Sequence, residues 1–429
     1  MNLQIQHIAK KFHNGTKALA DVDFSVSQGE FVSVIGPSGA GKTTLFRILN
    51  GMMKCTGGQV LLDDKRFDSL KGRKKRELQK SIATIYQDFC LVENSTCLKN
   101  VLTAGLPDMG FFQGMFGLYG KTRKEEALKL LDRVGLPEKA EEPVKNLSGG
   151  QKQLLNLASI MVMRPEVLLL DEPTAQLDPL AKKKFFDTVL ELNKDFGITI
   201  MCVEHNLADI YSKADKVLVL EDGKLIYNGT PRKTAESLVK TENPLVYGLP
   251  SSVRIYEGCK KDITFETDCP LTVKEGRKWI ASLNIKGGSY VSQDKHYETG
   301  DTAVSVKNVF FRYTKNSANV LENISFDIEK GRITALLGSN GAGKTTLLRL
   351  MAGIKKPISG KVKVNGRCAV LPQNPMALLS QISVEEELAS AVMDKGNVSV
   401  KDMDRKQRIE LAFNMLERTG LLRVRKQHP

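Results

Sequence analysis

The sequence lacks a long apolar run, a C-x-x-C cysteine pair and an apolar core near its first residues. Because no 18 consecutive residues are apolar, we expect no membrane-spanning helix. The opening MNLQIQHIAKKF contains no apolar signal core, which argues against secretion. The seven cysteines are scattered and odd in number, a pattern typical of reduced cytosolic thiols rather than of a disulfide framework or a zinc site.

The 429 residues suffice for two or three domains with sizeable cores. Net charge is +14, and part of it lies in the run KGRKKRELQK, residues 71–80. One interpretation is a solvated face near a membrane or an acidic partner. The other is nucleic-acid binding, but no aromatic residues alternate with these cations, so no nucleic-acid partner is expected.

Two glycine-rich segments fit the phosphate-binding pattern G-x-x-x-x-G-K-[ST]: GPSGAGKTT at 36–44 and GSNGAGKTT at 338–346. Each follows an apolar run, FVSVI or ITALL, and precedes a helix-like stretch, so a strand–loop–helix unit is predicted twice. In such loops backbone N–H groups surround phosphates, the lysine reaches the β- and γ-phosphates, and the following threonine holds Mg²⁺. The predicted ATP-binding residues are Gly36, Pro37, Ser38, Gly39, Ala40, Gly41, Lys42, Thr43, Thr44, Gly338, Ser339, Asn340, Gly341, Ala342, Gly343, Lys344, Thr345 and Thr346.

The two loops belong to an internal repeat, since their lysines lie 302 residues apart and the flanking segments align. ALADVDFSVSQGEFVSVIG matches VLENISFDIEKGRITALLG. Strands alternate with amphipathic helices in both copies, which predicts α/β domains. We place copy one at residues 1–235, an accessory segment or tether at 236–301, which contains turn-rich pieces and an apolar island around Trp279, and copy two at 302–429.

Copy two is predicted to be incomplete. LLDRVGL at 130–136 matches MLERTGL at 415–421, and a second LSGG serine would fall near position 433. By repeat length roughly 90 residues would be missing, which suggests a fragment, a frameshifted gene or an artificially shortened chain.

An apolar strand ending in two acids, LLLDEP, spans Leu168 to Pro173. Asp171 there can hold Mg²⁺, directly or through water, and Glu172 can polarise an attacking water. Alone, the run would indicate solvated acids at a strand end. Its position 129 residues after the first loop lysine favours the catalytic interpretation.

LSGGQ, with Ser148, Gly149, Gly150 and Gln151, places a serine and two glycines at a predicted helix start. The hydroxyl, the free N–H groups and the helix dipole form an anion site. A simple N-cap is the alternative interpretation, because Ser148 would serve as one in either case. The segment precedes LLLDEP by one helix length, which favours a functional role.

Three further polar residues lie where predicted strands or helices begin or end. Gln87, after SIATIY, can contact Mg²⁺ or water, and His205, after ITIMCVE, can bond the γ-phosphate and orient the water. Asp178, before Pro179, is predicted at a dimer seam, with a plain helix cap as the alternative. Phe12 and Tyr313 precede the loop lysines by 30 and 31 residues, and we predict that they stack on adenine, although core packing is the other interpretation.

Together these motifs resemble the ATP-binding cassette (ABC) ATPases, over all of copy one and the first half of copy two. The resemblance implies a P-loop NTPase with a RecA-like core, an antiparallel β subdomain and a helical signature subdomain, in tandem. It assigns Walker A to 36–43, the Q-loop to Gln87, the signature to 148–151, Walker B to Asp171, the catalytic glutamate to Glu172 and the switch histidine to His205. Mg²⁺ would then be held by Thr43, Gln87 and Asp171, and in copy two by Thr345 and Gln373.

Two details are similar to the energy-coupling factor (ECF) importers: DEPTAQLDP, and LPQNP around Gln373. The linker CPLTVKEGR also resembles tandem members of that group. GMFGLYGKTRKEEALKLLDRVGL instead resembles phosphonate-type importers. The resemblance implies ATP-driven uptake of a vitamin, a metal ion or another small solute. It implies integral-membrane transporter subunits, a solute-binding subunit, cassette dimerisation and a peripheral location on the cytoplasmic face of the cell membrane.

In the family each ATP lies between the P-loop of one cassette and the LSGGQ of the other. Neither composite site is complete within 429 residues, so we expect ATP binding at copy one but poor hydrolysis by an internal pair. Two alternatives stay open: a soluble tandem ABC factor acting on ribosomes, and an inactive gene product. A turn-rich linker and the triplet Glu204-His205-Asn206, in place of Ser-His-Asp, favour the transporter.

Overall fold

The computed structural model describes residues 2–67, 70, 72–204, 207, 210–260, 268–283, 300–372, 376, 378–393 and 405–429. Internal contacts divide the chain into two compact units, with the division between residues 283 and 300. None of the helices in these described ranges combines the length and the apolar character needed to cross a membrane.

The first unit begins with strands and continues with alternating strands and helices. Its strands are β1 Leu3–Lys11, β2 Lys17–Val26, β3 Phe31–Ile35, β4 Gly57–Leu62, β5 Lys65–Arg66, β6 Ile82–Ile85, β7 Val167–Asp171, β8 Thr199–Val203, β9 Lys216–Glu221 and β10 Lys224–Gly229. Its helices are α1 Lys42–Leu49, α2 Gly72–Lys80, α3 Cys97–Ala104, α4 Phe111–Met115, α5 Lys121–Arg133, α6 Gly149–Met161, α7 Pro179–Phe196, α8 Pro231–Lys240, α9 Ser251–Lys260 and α10 Val273–Ser282. Short 3-10 helices occupy Leu106–Asp108, Pro137–Lys139, Val144–Asn146, Tyr211–Lys213 and Pro244–Gly248.

A six-stranded sheet in the order β10-β9-β3-β8-β7-β6 forms the centre of this unit. All its pairings are parallel except β9 with β10. Every residue of β3, β7 and β8 is buried, as expected for parallel strands covered on both faces. The carboxyl ends of these strands lie at one edge of the sheet, where ligands bind in open α/β folds.

A second, four-stranded antiparallel sheet in the order β2-β1-β4-β5 packs with α1 against one face of the central sheet and shares an apolar core with it. Helices α3, α5, α6 and α7 share a larger core on the other face. The result is the predicted combination of α/β core, antiparallel sheet and helical region.

The described part of segment 236–301, expected to be an accessory element or tether with turn-rich pieces, contains a 3-10 helix and the two helices α9 and α10. Helices α9 and α10 pack through Tyr256 and Trp279, whose ring centroids lie 5.0 Å apart at 61°. Both rings are buried in the core of the first unit. The apolar residues around Trp279 therefore form one face of a helix, which proline and glycine on either side concealed in the sequence.

The second unit is smaller. It contains β11 Thr302–Phe311, β12 Leu321–Glu329, α11 Lys344–Met351, β13 Ser359–Val364, α12 Val384–Met393, α13 Arg405–Arg418 and a 3-10 helix at Leu422–Val424. A three-stranded antiparallel sheet in the order β12-β11-β13 packs on α11 around a small core. This sheet repeats the arrangement of β2, β1 and β4, which agrees with the internal repeat.

ITALL, residues 333–337, was predicted to be a strand, and the structure contradicts this. No strand is assigned there, and Ile333 and Leu337 are almost fully exposed. Its counterpart β3 is held between β8 and β9, which follow it by more than 160 residues. Among the described residues of copy two, no strand pairs with 333–337 as β8 and β9 pair with β3, so this backbone lacks the ladder that β3 has.

Candidate active site

The first phosphate-binding loop joins β3 to α1. Gly41 immediately precedes the helix with a φ of 97°, and a Cβ atom there would lie 2.4 Å from the carbonyl oxygen of Ala18. Glycine is therefore required both by the left-handed backbone and by the close approach of β2. The first turn of α1 directs its N–H groups toward the loop, which makes the loop an anion site.

Lys42 occupies the first position of α1 and is buried. Its Nζ donates hydrogen bonds to the carbonyl oxygens of Gly36 at 2.7 Å and Pro37 at 2.8 Å. Burial lowers the pKa of the Lys42 ammonium, and the carboxylates of Glu172 and Asp171 oppose that change. The cation is thus held inside the loop, where phosphate oxygens can replace the two carbonyls as acceptors.

Asp171 is the last residue of β7 and is buried, with Oδ1 lacking a hydrogen-bond partner among the described residues. Burial raises the pKa of the Asp171 carboxyl and repulsion from Glu172 raises it further, whereas the Thr43 hydroxyl, Arg47 and Lys42 lower it. A buried carboxylate oxygen of this kind, beside a threonine hydroxyl, suits an oxygen-coordinated cation such as Mg²⁺. The residues present therefore fit this cofactor.

Glu172 reaches the same cleft as the phosphate-binding loop. The cleft has a volume of about 230 Å³ and lies at the carboxyl ends of the central strands. The structure therefore brings an acid that follows β7 to the loop that follows β3. The lining residues are Thr16, Lys17, Ala18, Ser38, Gly39, Ala40, Gly41, Lys42, Thr43, Thr44 and Glu172.

Ser148 is the N-cap of α6, as the sequence predicted. Its hydroxyl accepts from the Gln151 N–H at 3.3 Å, and the Gln151 side chain accepts from the Ser148 N–H at 2.9 Å, which completes a capping box. A Cβ atom on Gly150 would lie 2.6 Å from Cβ of Ala181, so this glycine lets α6 approach α7. The anion-binding role of the segment stays a prediction.

Asp178 caps α7 by accepting from the N–H groups of Leu180 and Ala181 at 3.1 and 2.9 Å. The alternative interpretation of this residue as a cap is therefore confirmed, and its place at a dimer seam stays a prediction. Gln87 lies in an exposed segment, two residues after β6 ends at Ile85 rather than at the strand end itself.

Phe12 follows β1 and is 36% exposed, with Nζ of Lys10 5.6 Å from its ring centroid. The ring is partly exposed rather than buried in the core, and its stacking on adenine stays a prediction. His205 and Gln373 lie outside the described residues, so their roles stay predictions.

The second loop repeats the backbone of the first. Lys344 Nζ donates to the carbonyl oxygen of Gly338 at 2.8 Å, and Gly343 has a φ of 86° before α11. The hydroxyl of Tyr313 lies 2.9 Å from that of Thr346, and its ring meets Phe311 edge-on. The hydroxyl therefore ties the aromatic residue to the first turn of α11.

Sequence reasoning missed a buried carboxylate, Glu204, whose partner Thr174 lies two residues after Glu172. Oε1 of Glu204 accepts from both the N–H and the hydroxyl of Thr174, at 3.1 and 2.6 Å, and Oε2 lies 3.6 Å from Nζ of Lys182. The only signal in the sequence is an acid at the end of an otherwise apolar strand. Its partners lie 22 and 30 residues away and follow no local pattern.

Three features define a P-loop ATPase cassette here: a phosphate-binding loop after β3, an acid pair at the end of β7 in the same parallel sheet, and a capped signature helix. A profile of the ABC transporter family matches residues 19–175 and 321–428. The chain therefore belongs to the ABC transporter family and carries its ATP-binding domain twice. It is an ATP-binding subunit of the kind that hydrolyses ATP for transport.

One relative matches nearly the whole chain, and another matches a segment about as long as one cassette. A Bacillus cereus protein with the name of an ABC transporter ATP-binding protein is 31% identical over 422 residues, 96% of this chain and 73% of its own length. The phosphonates import ATP-binding protein PhnC of Lactococcus lactis is 37% identical over 237 residues, 55% of this chain and 96% of its own.

Solved structures agree. CbiO1 of Clostridium perfringens, part of the ABC transporter complex CbiONQ, matches with a TM-score of 0.50 and 28% identity over 59% of this chain and 98% of its own. The ADP conformation of another ABC transporter cassette also matches with a TM-score of 0.50, at 26% identity over 59% of this chain and 99% of its own.

Proposed function

We propose that the chain is the ATP-hydrolysing motor of an importer of the ECF type, acting on the cytoplasmic face of the cell membrane. The observation that carries the enzymatic part is the shared cleft: Glu172 at the end of β7 faces the same space as Lys42 and Thr43 of the loop after β3. A base, a phosphate-binding lysine and a metal-binding hydroxyl are the groups that phosphoryl transfer to water needs.

Each side chain has one task in this mechanism. The loop N–H groups and the Lys42 ammonium bind the β- and γ-phosphates and stabilise the charge that develops on them. Glu172 accepts a hydrogen bond from the attacking water and orients it toward the γ-phosphate. Mg²⁺, when bound at Thr43 and Asp171, supplies a Lewis acid that neutralises phosphate charge. Gln87 and His205 are proposed to contact the metal's water and the γ-phosphate.

ATP binding is proposed to close two cassettes on each other, with Ser148 and the N–H groups of α6 completing the site of the opposite cassette. The capping box uses the N–H groups of Ser148 and Gln151 and fixes the helix start, and the N–H groups of Gly149 and Gly150 lie outside the box. Hydrolysis would reopen the pair, and integral-membrane subunits would convert the movement into transport, together with a solute-binding subunit.

Two observations support the importer branch. DEPTAQLDP and LPQNP resemble ECF ATPases, and the cassette of CbiO1, part of the complex CbiONQ, matches 59% of the chain. The greater identity to PhnC favours a phosphonate importer as the competing solute class. A vitamin or a metal ion is the solute class that we propose.

The test is to purify the chain with its bound partners from detergent-solubilised membranes and to reconstitute the complex in ATP-loaded vesicles. Import requires hydrophobic partner proteins, identified by intact mass, and ATP-dependent uptake of a vitamin or a divalent metal ion. Uptake of a phosphonate instead would move the chain to the phosphonate branch. Uptake must also be lost with Glu172→Gln.

The ribosome-factor alternative stays open, although the helices α9 and α10 of this chain do not resemble the linker of such factors. These helices span only ten residues each and pack on the first unit, whereas the ribosome factors have a long charged helical pair. Sedimentation with ribosomes at moderate salt, without membrane partners, would favour that alternative.

A further inference from the structure

Glu172 has a backbone conformation that its neighbours must maintain. Its φ of 52° lies in the left-handed region, which residues with a Cβ atom rarely adopt. Its N–H donates to the carbonyl oxygen of Val203 at 3.0 Å. The position of the proposed base therefore depends on the last residue of β8, the next strand of the sheet.

Glu204, the residue after Val203, attaches a second point of the same turn. Its Oε1 accepts both the N–H of Thr174, at 3.1 Å, and the Thr174 hydroxyl, at 2.6 Å. Thr174 lies two residues after Glu172. The segment 172–174 is thus bound to the end of β8 at both its ends, once through the backbone and once through the Glu204 side chain.

The Glu204 carboxylate is held in place by Lys182. The two side chains are 4% and 10% exposed, and Oε2 lies 3.6 Å from Nζ. Nζ also lies 5.8 Å from the ring centroid of Phe186, one turn later on α7. Because a buried carboxylate needs a compensating charge, the nearby ammonium helps to hold the carboxylate in the position where it accepts from Thr174.

A further contact connects this turn to the signature helix. Nε2 of the fully buried Gln153, on α6, donates to the carbonyl oxygen of Pro173 at 2.6 Å. Residues 172–174 are therefore held from β8 on one side and from α6 on the other. Val203, Glu204 and Gln153, which bind this turn, line neither the ATP cleft nor the phosphate-binding loop.

We propose that Glu204 and Lys182 form a positioning pair that fixes the carboxylate of Glu172 for attack by water, without contacting ATP. The inference rests on the proposed role of Glu172 as the base. Breaking the pair would leave ATP binding intact and slow the chemical step, because only the orientation of the base would change.

The test measures ATP turnover and KM for Glu204→Gln and Lys182→Met, alone and together, in the membrane complex. Glutamine keeps an acceptor for Thr174 but loses the charge. We expect kcat to fall roughly tenfold in each single variant, while KM for ATP stays within about twofold of the native value. The double variant should be no slower than either single variant, because the two residues act as a unit. Lys183→Met, an exposed neighbour on α7, is the matched control.

A second pair of variants guards against a folding defect. Thr174→Val removes the hydroxyl that donates to Glu204, and Thr174→Ser restores it. We expect the valine variant to lose turnover and the serine variant to recover it, with both binding ATP as the native chain does. Native kcat in Glu204→Gln or in Thr174→Val would overturn the proposal, as would a rise in KM without a fall in kcat.

Glu172→Gln, measured in parallel, separates this inference from the proposed function. If that variant keeps its turnover, the base assignment fails, and the positioning proposal fails with it. If it loses turnover while Glu204→Gln does not, only the positioning pair is rejected.

Discussion

The two phosphate-binding loops have nearly the same backbone in very different surroundings. Gly36, Gly39 and Gly41 have φ angles of 156°, 82° and 97°, and the equivalent glycines of copy two have 157°, 86° and 86°. Both lysines bond back to the carbonyl of the first loop glycine. Local sequence therefore determines the loop conformation, because it depends on glycines and on the first turn of the following helix.

The surroundings differ because only the first loop follows a strand within a complete sheet. Lys42 is buried, and the carboxylates of Glu172 and Asp171 partly offset the fall in the pKa of its ammonium that burial causes. Residues 338–341 are exposed, and the segment before them is not a strand. A nine-residue motif is thus sufficient to form the backbone of a phosphate-binding loop. The charged groups that surround the loop in an ATPase site belong to strands far away in the sequence.

Removing the base gives the largest effect that this comparison predicts. Glu172→Gln should lower ATP turnover by about 10²–10⁴-fold, the usual contribution of general base catalysis, and leave ATP binding unchanged. Phosphate release by the membrane complex measures turnover, and a fluorescent ATP analogue measures binding. Glu191→Gln, on the surface of α7 away from the cleft, is the control. Normal turnover in Glu172→Gln would refute the assignment of the base.

The two lysines provide the direct test of asymmetry. Lys42→Ala should weaken ATP binding roughly 10- to 100-fold, because hydrogen bonds to charged groups contribute about 1.5–3 kcal/mol. Lys344→Ala should have a smaller effect on the tightest binding phase, since its loop is exposed and the segment before that loop is not a strand. Titration with the fluorescent analogue measures both. Equal losses in the two variants would mean that the loop alone determines affinity.

Alanine substitutions at two glycines of the first loop distinguish the energetic cost of a strained backbone from the cost of steric crowding. Gly39→Ala meets no atom within 4 Å and should cost about 1–2 kcal/mol from its left-handed φ alone. Gly41→Ala should cost more, since its Cβ would lie 2.4 Å from the Ala18 carbonyl oxygen. Thermal melting of the nucleotide-free chain checks the order, and a milder effect at Gly41 would contradict the close approach of β2.

Features that depend on residues close together in the sequence could be predicted from the sequence, and features that depend on distant residues could not. The caps at Ser148 and Asp178 depend on residues within three positions, and the sequence alone indicated both. The strand predicted at 333–337 failed because a strand needs partners, and the pattern of its own residues says nothing of them. The Glu204–Lys182 pair was missed for the same reason, since burial and pairing arise only when β8 and α7 meet.

Asp171 should make the nucleotide-free chain less stable as pH rises. Because burial raises the pKa of the Asp171 carboxyl, there is a pH range in which the folded chain keeps the carboxyl proton and the unfolded chain has lost it. Stability from this group is therefore present at low pH and is lost as pH rises through the raised pKa. Asp171→Asn should melt above the native chain at pH 7 without nucleotide, and the difference should shrink toward pH 4.

Differential scanning fluorimetry across that pH range measures the effect, with exposed Asp132→Asn as the control. The same variant should lose the extra stabilisation that Mg²⁺ adds to ATP binding. A melting temperature below that of the native chain at pH 7 would show that the Asp171 carboxylate is compensated by charges stronger than Lys42 and Arg47.

The smallest effect concerns the aromatic residues before the two loops, Phe12 and Tyr313. Tyr313→Phe removes a hydroxyl that lies 2.9 Å from that of Thr346, and it makes copy two like copy one. One such bond contributes about 0.5–1.5 kcal/mol, so α11 should become slightly easier to open locally. Amide hydrogen exchange in 344–351 measures this, with 42–49 as the internal reference. Because the ring itself is kept, binding of the ATP analogue should not change; weaker binding would mean that the hydroxyl, rather than the ring face, contacts the nucleotide.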